Sequence, residues 1–257
     1  MHRNPVVVLL VFGLVATVSM PCMAQKKKQP TYPATIVQSP ARPFSLPIYG
    51  NVIGNRSDAR ALSFHTTYLP TFQQIINDKL SEGVVFNGAS GFKLNASKLF
   101  LRTASDKPIR VYFLAEGAGY HNSLGFSYTP AGSSTPGTPY LIFPDASIGS
   151  SRSTWEPLQV GDFIDIGVGG NGWQLDFFCI SNGVNGGTTW LWNDTKKNSD
   201  KLQHVVAFLL PDTPYVLIGF EDIVGGGDLD YNDALFVVDI GAVNAQNLSD
   251  EFANLPN

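Results

Sequence analysis

The sequence predicts an all-β fold, an antiparallel β-sandwich of jelly-roll type with one short edge helix. From Gly83 onward, short apolar and aromatic runs alternate with clusters of Gly, Pro, Asn and Ser, a pattern typical of strands joined by turns. No helical pattern separates these runs, so the strands are expected to pair in antiparallel sheets. The predicted strands are residues 98–103, 109–115, 124–128, 140–143, 163–168, 174–180, 205–210, 215–220 and 234–240.

One segment has a different period. Between residues 69 and 80, apolar side chains recur at helical spacing among Gln, Asn, Asp and Lys. This pattern predicts the one substantial helix, packed at the edge of the domain. The apolar positions are Phe72, Ile75, Ile76 and Leu80.

The first 24 residues have the pattern of a secretory signal peptide. His2 and Arg3 form a basic start, residues 5–18 are apolar, and Ala24 is a small residue before the expected cleavage site at Gln25. Lipoprotein processing at Cys22 is the alternative. No later stretch is long and apolar enough to cross a bilayer. We therefore expect a secreted, extracellular protein, with a periplasmic or cell-surface location as the alternatives.

The remaining chain divides by composition. Residues 25–57 are rich in proline and lack apolar periodicity, which predicts a flexible linker. Residues 58–243 form the predicted sandwich, and residues 244–257 a polar C-terminal tail. The net charge is −4 for the whole chain and more negative without Arg3, which argues against a nucleic-acid partner. Cys179 is the one cysteine left after cleavage and is expected to be buried.

Residues 221–233 contain five carboxylates and no basic side chain. Carboxylates crowded into one turn repel each other unless a cation holds them, and Ca²⁺ accepts six to eight oxygen ligands in flexible geometry. The run Gly225-Gly226-Gly227 gives the backbone the freedom to curl around an ion. We expect alternate oxygens of this loop to converge on one calcium ion. The predicted ligands are Asp228, Asp230, Asn232, Asp233, Glu221 and Asp222.

The loop is not an EF-hand, because Asp233 and Asp239 occupy the positions where that motif has its glycine and its closing glutamate. Two alternatives stay open. A solvated acidic turn could satisfy its own backbone through Asp and Asn side chains. Magnesium fits less well than calcium, since it prefers water and few carboxylates.

Two stretches resemble one known family. Residues 113–126, FLAEGAGYHNSLGF, are similar to the EGAGYxNxLG stretch of the DUF4114 domain family. Residues 219–222 and 226–233, GFED and GGDLDYND, resemble that family's closing GFED…GGDxDYND signature. The resemblance implies a β-sandwich module of secreted and surface-attached bacterial proteins, including adhesins, for which calcium binding and surface adhesion are the usual inference. The resemblance assigns no catalytic residue to this chain.

The first of these stretches offers two additional oxygen ligands. Glu116 and Asn122 flank a glycine-rich turn and would reach the ion if the two segments are adjacent in space. The alternative is a β-bulge or corner fixed by its glycines.

No catalytic motif is evident. The sequence has no HExxH pair, no G-x-S-x-G elbow and no nucleotide-binding fingerprint. We therefore predict a non-catalytic, calcium-binding module that acts in adhesion or in interaction with an extracellular surface or matrix. Calcium-assisted carbohydrate binding is the alternative, with Trp190 and Trp192 on one strand face as a glycan platform unless they are core residues. A secreted hydrolase is the third hypothesis.

Overall fold

The structure is a computed structural model that describes residues 38–86, 93–101 and 103–253, with side chains through residue 248. Within these ranges ten strands form two antiparallel sheets. The six-stranded sheet has the order β1-β8-β9-β10-β2-β5 and the four-stranded sheet the order β4-β3-β6-β7. The strands are β1 Lys93–Leu94, β2 Arg110–Ala115, β3 Ser123–Thr129, β4 Tyr140–Phe143, β5 Phe163–Asp165, β6 Gln174–Ser181, β7 Thr189–Trp192, β8 Val205–Leu209, β9 Tyr215–Phe220 and β10 Ala234–Asp239.

This architecture confirms the predicted all-β sandwich. The main core lies between the sheets, where alternate residues of each strand meet. Phe177 of β6, for example, packs against Phe236 of β10 with their ring centroids 5.0 Å apart. Cys179 is fully buried in this core, as predicted. Segment 98–103 was predicted as a strand, but its described residues form the end of a helical turn at Lys98 and an isolated bridge between Phe100 and Gln174.

A helical segment covers the outer face of the six-stranded sheet. It consists of α1 Ala59–Ser63, a π-helical turn Phe64–Tyr68 and α2 Leu69–Lys79. Asp58 caps its start by accepting a hydrogen bond from the Ala61 backbone N–H. The Phe64 ring stacks on Tyr112 of β2 with 3.9 Å between centroids. The helical segment therefore starts ten residues before the predicted helix, and α2 matches the predicted span to within one residue. The segment packs on the outer face of the six-stranded sheet.

The predicted linker needs a correction in its described part, residues 38–57. Ile48 bridges to Leu141 of β4, Ile53 bridges to Phe163 of β5, and Leu46 is buried. This segment is therefore packed against the sandwich and is not a flexible linker. Its prolines are compatible with this arrangement because proline is tolerated beside an edge strand, where no ladder hydrogen bond is required of its nitrogen.

The predicted polar tail also needs a correction. Helix α3 spans Ala242–Ala253. Ala245 and Leu248, three residues apart, are buried in the core between the sheets. A short sequence with two buried apolar positions gives little periodic signal, and here tertiary contact supplies the stability.

The predicted signal peptide, residues 25–37 of the predicted linker and the last four residues lie outside the described ranges. Among the described residues, the structure contains no helix with the length and apolar character needed to span a membrane.

Candidate metal centre

The acidic loop connects β9 to β10, the central hairpin of the six-stranded sheet. Ala234 pairs with Phe220, so Glu221 and Asp233 flank the two ends of the loop at its base. The three glycines at 225–227 all have positive φ, as the curled backbone requires. A Cβ at Gly227 would also collide with the Glu221 carboxylate. The glycine run therefore allows this loop to fold back over its own acidic base.

Three carboxylates meet at the base of the loop, and we call Glu221, Asp222 and Asp233 the inner group. One oxygen of each lies within 4.8 Å of the others. Glu221 and Asp222 are buried. The Asp222 backbone N–H donates to Asp233 Oδ2 at 2.8 Å, which closes the base of the loop.

Burial and mutual repulsion raise the proton affinity of this group. Burial first, and then the charges of Asp233 and Asp228, raise the pKa of Glu221 to about 8. Burial followed by the charge of Asp222 raises the pKa of Asp233 to about 7. The pKa of Asp222 is also raised, chiefly by burial. Among the described residues, no Lys or Arg forms an ion pair with these carboxylates. No basic side chain of the described residues therefore offsets the repulsion within the inner group.

A second set of carboxylates lies farther along the loop, and we call Glu82, Asp228 and Asp230 the outer group. Asp230 is buried and accepts a hydrogen bond from the Gly83 backbone N–H at 2.7 Å. Glu82 follows helix α2, so the outer group joins the helical segment to the loop. Glu82 was not predicted as a ligand, because it lies 146 residues before Asp228 and stands in no motif.

The six predicted ligands do not converge on one point. The five carboxylates among them divide between the two groups, and the Asn232 side chain lies beside Asp230. Its amide nitrogen donates to Asp230 Oδ2 at 2.8 Å and to the Leu80 carbonyl at 3.3 Å. The structure brings Asp233 together with Glu221 and Asp222, whereas Asp228 and Asp230 lie in the outer group.

The two additional predicted ligands lie beside the inner group. Asn122 is buried and donates to Asp222 Oδ2 at 2.7 Å, while its Oδ1 accepts the Asn182 backbone N–H at 2.9 Å. It therefore positions a carboxylate and has its own oxygen engaged elsewhere. Burial first, then the charges of Asp145, Asp222 and Asp233, raise the pKa of Glu116 to about 7. Glu116 thus extends the acidic cluster next to the inner group.

A Ser, His and Asp set lies nearby but does not have the arrangement of a nucleophilic triad. Ser147 Oγ lies 2.9 Å from His121 Nδ1, and Asp145 contacts the same nitrogen at 3.4 Å. A triad needs the base to use one ring nitrogen for the nucleophile and the other for the carboxylate. This set therefore serves to hold the buried Asp145 in place.

Trp190 and Trp192 lie on the outer face of the four-stranded sheet. Their indole rings are nearly parallel, 10° apart, with 5.5 Å between centroids. Both are half-buried and pack against Phe178, and Phe44 covers Trp190 at 5.2 Å. Among the described residues, no hydrogen bond or ring contact joins the two indoles to the acidic loop. They form a small outer core with partly exposed rings.

The donor chemistry of the inner group suits a hard divalent cation. It offers carboxylate oxygens only, and hard cations such as Ca²⁺ and Mg²⁺ prefer oxygen, whereas Zn²⁺ favours nitrogen and sulfur. A bound cation would also offset the repulsion that raises the pKa values of these groups. The residues present therefore fit a calcium ion.

Fold and site together define a β-sandwich domain with a carboxylate cluster at its central hairpin. Residues 158–241 match the family model of DUF4114, a domain of unknown function. The match confirms the predicted resemblance and includes β5 to β10 with the whole acidic loop. No curated protein and no solved structure matches the chain.

Proposed function

We propose that this chain is a secreted, calcium-binding β-sandwich module that acts by binding, in extracellular adhesion or interaction with a matrix or surface, and not by catalysis. One observation carries the calcium part of the proposal. The oxygens of Glu221, Asp222 and Asp233 lie within 4.8 Å of one another at a largely buried position, with no basic partner among the described residues.

Calcium would have a structural role in this module. The inner group contains residues from both ends of the loop, so an ion held there would tie the end of β9 to the start of β10. Asn122 connects the same group to the turn after β2. The ion would therefore order the loops at one end of the sandwich, as expected where buried like charges need a counter-charge.

The calcium site is tested by calorimetric titration of calcium into the chelator-stripped full chain. Asp233→Asn removes one inner carboxylate with little change in size, and we expect calcium affinity to fall at least about tenfold. Asp106→Asn removes an exposed carboxylate outside the cluster and is the matched control, for which affinity should not change. Absence of binding heat in the unmodified chain, or an equal loss of calcium affinity in both variants, would contradict the proposal.

Export and adhesion have separate tests. Mass spectrometry of the protein recovered outside the cells should show an N-terminus at Gln25, and a chain that keeps residues 1–24 would contradict secretion by this route. Labelled protein should attach to the outer surface of the producing cells in calcium and detach in chelator. Attachment that is absent under both conditions would contradict a role in adhesion.

Calcium-assisted carbohydrate binding is a second candidate function. The observation in its favour is the pair of parallel, partly exposed indoles of Trp190 and Trp192, because aromatic faces can stack on sugar rings. A glycan array in calcium, repeated with Trp192→Ala, tests it. Binding that is lost in this variant and in chelator would support this candidate, and binding unaffected by both would contradict it.

A further inference from the structure

A groove of mixed polar and apolar lining lies beside the outer face of the four-stranded sheet. It has a volume of about 790 Å³, within the roughly 300–1,000 Å³ typical of ligand sites. Its walls are the short helical turns Ala96–Lys98 and Thr195–Lys197, together with part of the loop between β3 and β4. None of the carboxylates of the inner or outer group lines it. The groove is thus a separate feature from the acidic loop.

The lining of the groove is basic, although the chain as a whole is acidic. Lys98, Lys196 and Lys197 line it against two carboxylates, Asp176 and Asp194, in a chain of net charge −4. Lys197 Nζ lies 2.7 Å from the buried Asp176, so this pair is neutral. Lys98 and Lys196 are exposed, and neither forms an ion pair with a described residue. Two ammonium groups are therefore available to a negatively charged ligand.

The groove is also rigid. Asn193 Nδ2 donates to the Ala96 carbonyl at 2.7 Å, and Ser97 Oγ donates to the Asn193 carbonyl at 2.9 Å, which ties the two walls together. Gln174 Nε2 donates to Asp176 Oδ1 at 3.0 Å. Walls fixed before binding lose little entropy when a ligand enters.

Aromatic and hydrogen-bonding groups complete the lining. Lys197 Nζ lies 4.5 Å from the centre of the Trp192 ring, which places this half-exposed indole at the margin of the groove. Phe100 and the hydroxyls of Ser97 and Thr129 line its wall. Gln174 adds a side-chain amide to the same wall. A ligand with negative charge, many hydroxyls and apolar ring faces matches this set.

We propose that the groove binds an acidic oligosaccharide, with its carboxylate or sulfate groups on Lys98 and Lys196 and a sugar face near Trp192. The binding is independent of calcium, because the groove and the acidic cluster share no residue. An acidic peptide would satisfy the lysines but has neither the hydroxyls nor the flat apolar faces of a sugar chain.

The test is titration of the full chain with a galacturonic-acid hexasaccharide, in chelator and in calcium, with circular dichroism to establish which conditions keep the protein folded. The variant is Lys98→Ala/Lys196→Ala. The matched control is Lys79→Ala/Lys107→Ala, which removes two exposed lysines elsewhere and gives the same net charge. We expect binding to the unmodified chain, at least about a tenfold loss in the groove variant, and little change in the control.

Several results would overturn the proposal. The first two are no binding of the hexasaccharide at millimolar concentration and an equal loss of affinity in the two double variants. The others are equally tight binding of a neutral hexasaccharide or of a glutamate hexapeptide, and binding that requires calcium although the protein is folded without it. Sulfated and carboxylated probes distinguish the two sources of charge, and binding of either one by the groove lysines supports the assignment. Because the titration in chelator does not involve the ion, its failure leaves the calcium proposal standing.

Discussion

The Asn122 side-chain amide donates a 2.7 Å hydrogen bond to Asp222 Oδ2, and both residues are buried. The two residues lie 100 positions apart in the sequence. The Asn122 carbonyl oxygen accepts the Asn182 backbone N–H at the same time. One side chain thus connects three loops, those that follow β2, β6 and β9, and fixes the orientation of a carboxylate in the candidate metal centre.

Replacing Asn122 should destabilise the protein. Asn122→Ala leaves the Asp222 carboxylate and the Asn182 N–H without these partners, and an unpaired buried polar group costs about 1–3 kcal/mol. We expect the free energy of unfolding in urea to fall by about that amount. Asn185→Ala, at an exposed position of the neighbouring turn, is the control and should change it by less than about 0.5 kcal/mol. Equal urea midpoints for the two variants would contradict a positioning role for Asn122.

The stability of the metal-free protein should fall as pH rises. Burial and neighbouring carboxylates raise the pKa of Glu221 from 4.5 to about 8, that of Glu116 from 4.5 to about 7, and that of Asp233 from 3.8 to about 7. A raised pKa means that the folded state binds the proton more tightly than the unfolded state. The resulting stabilisation is therefore complete below about pH 4 and lost as pH rises through 7 to 8.

Thermal unfolding in chelator between pH 4 and pH 8.5 measures this trend, and Asp233→Asn should flatten it because one titrating carboxylate is gone. Calcium binding releases the bound protons, so affinity for calcium should rise over the same pH range. A melting temperature in chelator that rises steadily from pH 5 to pH 8 would contradict this account of the cluster.

Truncation of Trp190 should reduce stability and leave calcium affinity unchanged. Its ring contacts Phe44, Phe178 and Trp192 at centroid distances of 5.2, 4.7 and 5.5 Å. Since the ring is only half-buried, we expect Trp190→Ala to cost about 2 kcal/mol, less than a fully buried tryptophan. Chemical denaturation measures the cost, and calcium titration serves as the control. Unchanged stability would show that the indole is a free platform and not part of the outer core.

Much of the sheet structure was predictable because it follows from local alternation. Strands β4 and β9 have the predicted bounds, β2, β6, β8 and β10 differ from them by one residue at one end, and β3 differs by one residue at each end. The segments that were mispredicted depend on distant contacts. Residues 46–53 were predicted as linker because they belong to the proline-rich stretch 25–57, yet they pair beside β4 and β5. Helix α3 has only two buried apolar positions before residue 249, too few for a periodic signal.

The acidic loop was predictable from its charge density, but its geometry was not. From their spacing, Asp228, Asp230 and Asn232 were predicted to bind one ion. In the structure the Asn232 amide donates to Asp230, and Glu82, which follows α2, lies beside Asp228 and Asp230. A linear motif gives the order of the donors and not the direction of each side chain. The role of Asn122 likewise depends on the approach of two loops that are remote in sequence.

We propose that the inner group holds a calcium ion that stabilises the fold. The most direct test is the melting temperature of the full chain in chelator and in calcium, with magnesium at the same concentration for comparison. Calcium at 100 times its dissociation constant should stabilise the protein by about 2.7 kcal/mol, so the melting temperature should rise by several degrees, and by more than in magnesium. The same melting temperature in chelator and in calcium would contradict the claim, and the loop would then be a solvated acidic turn.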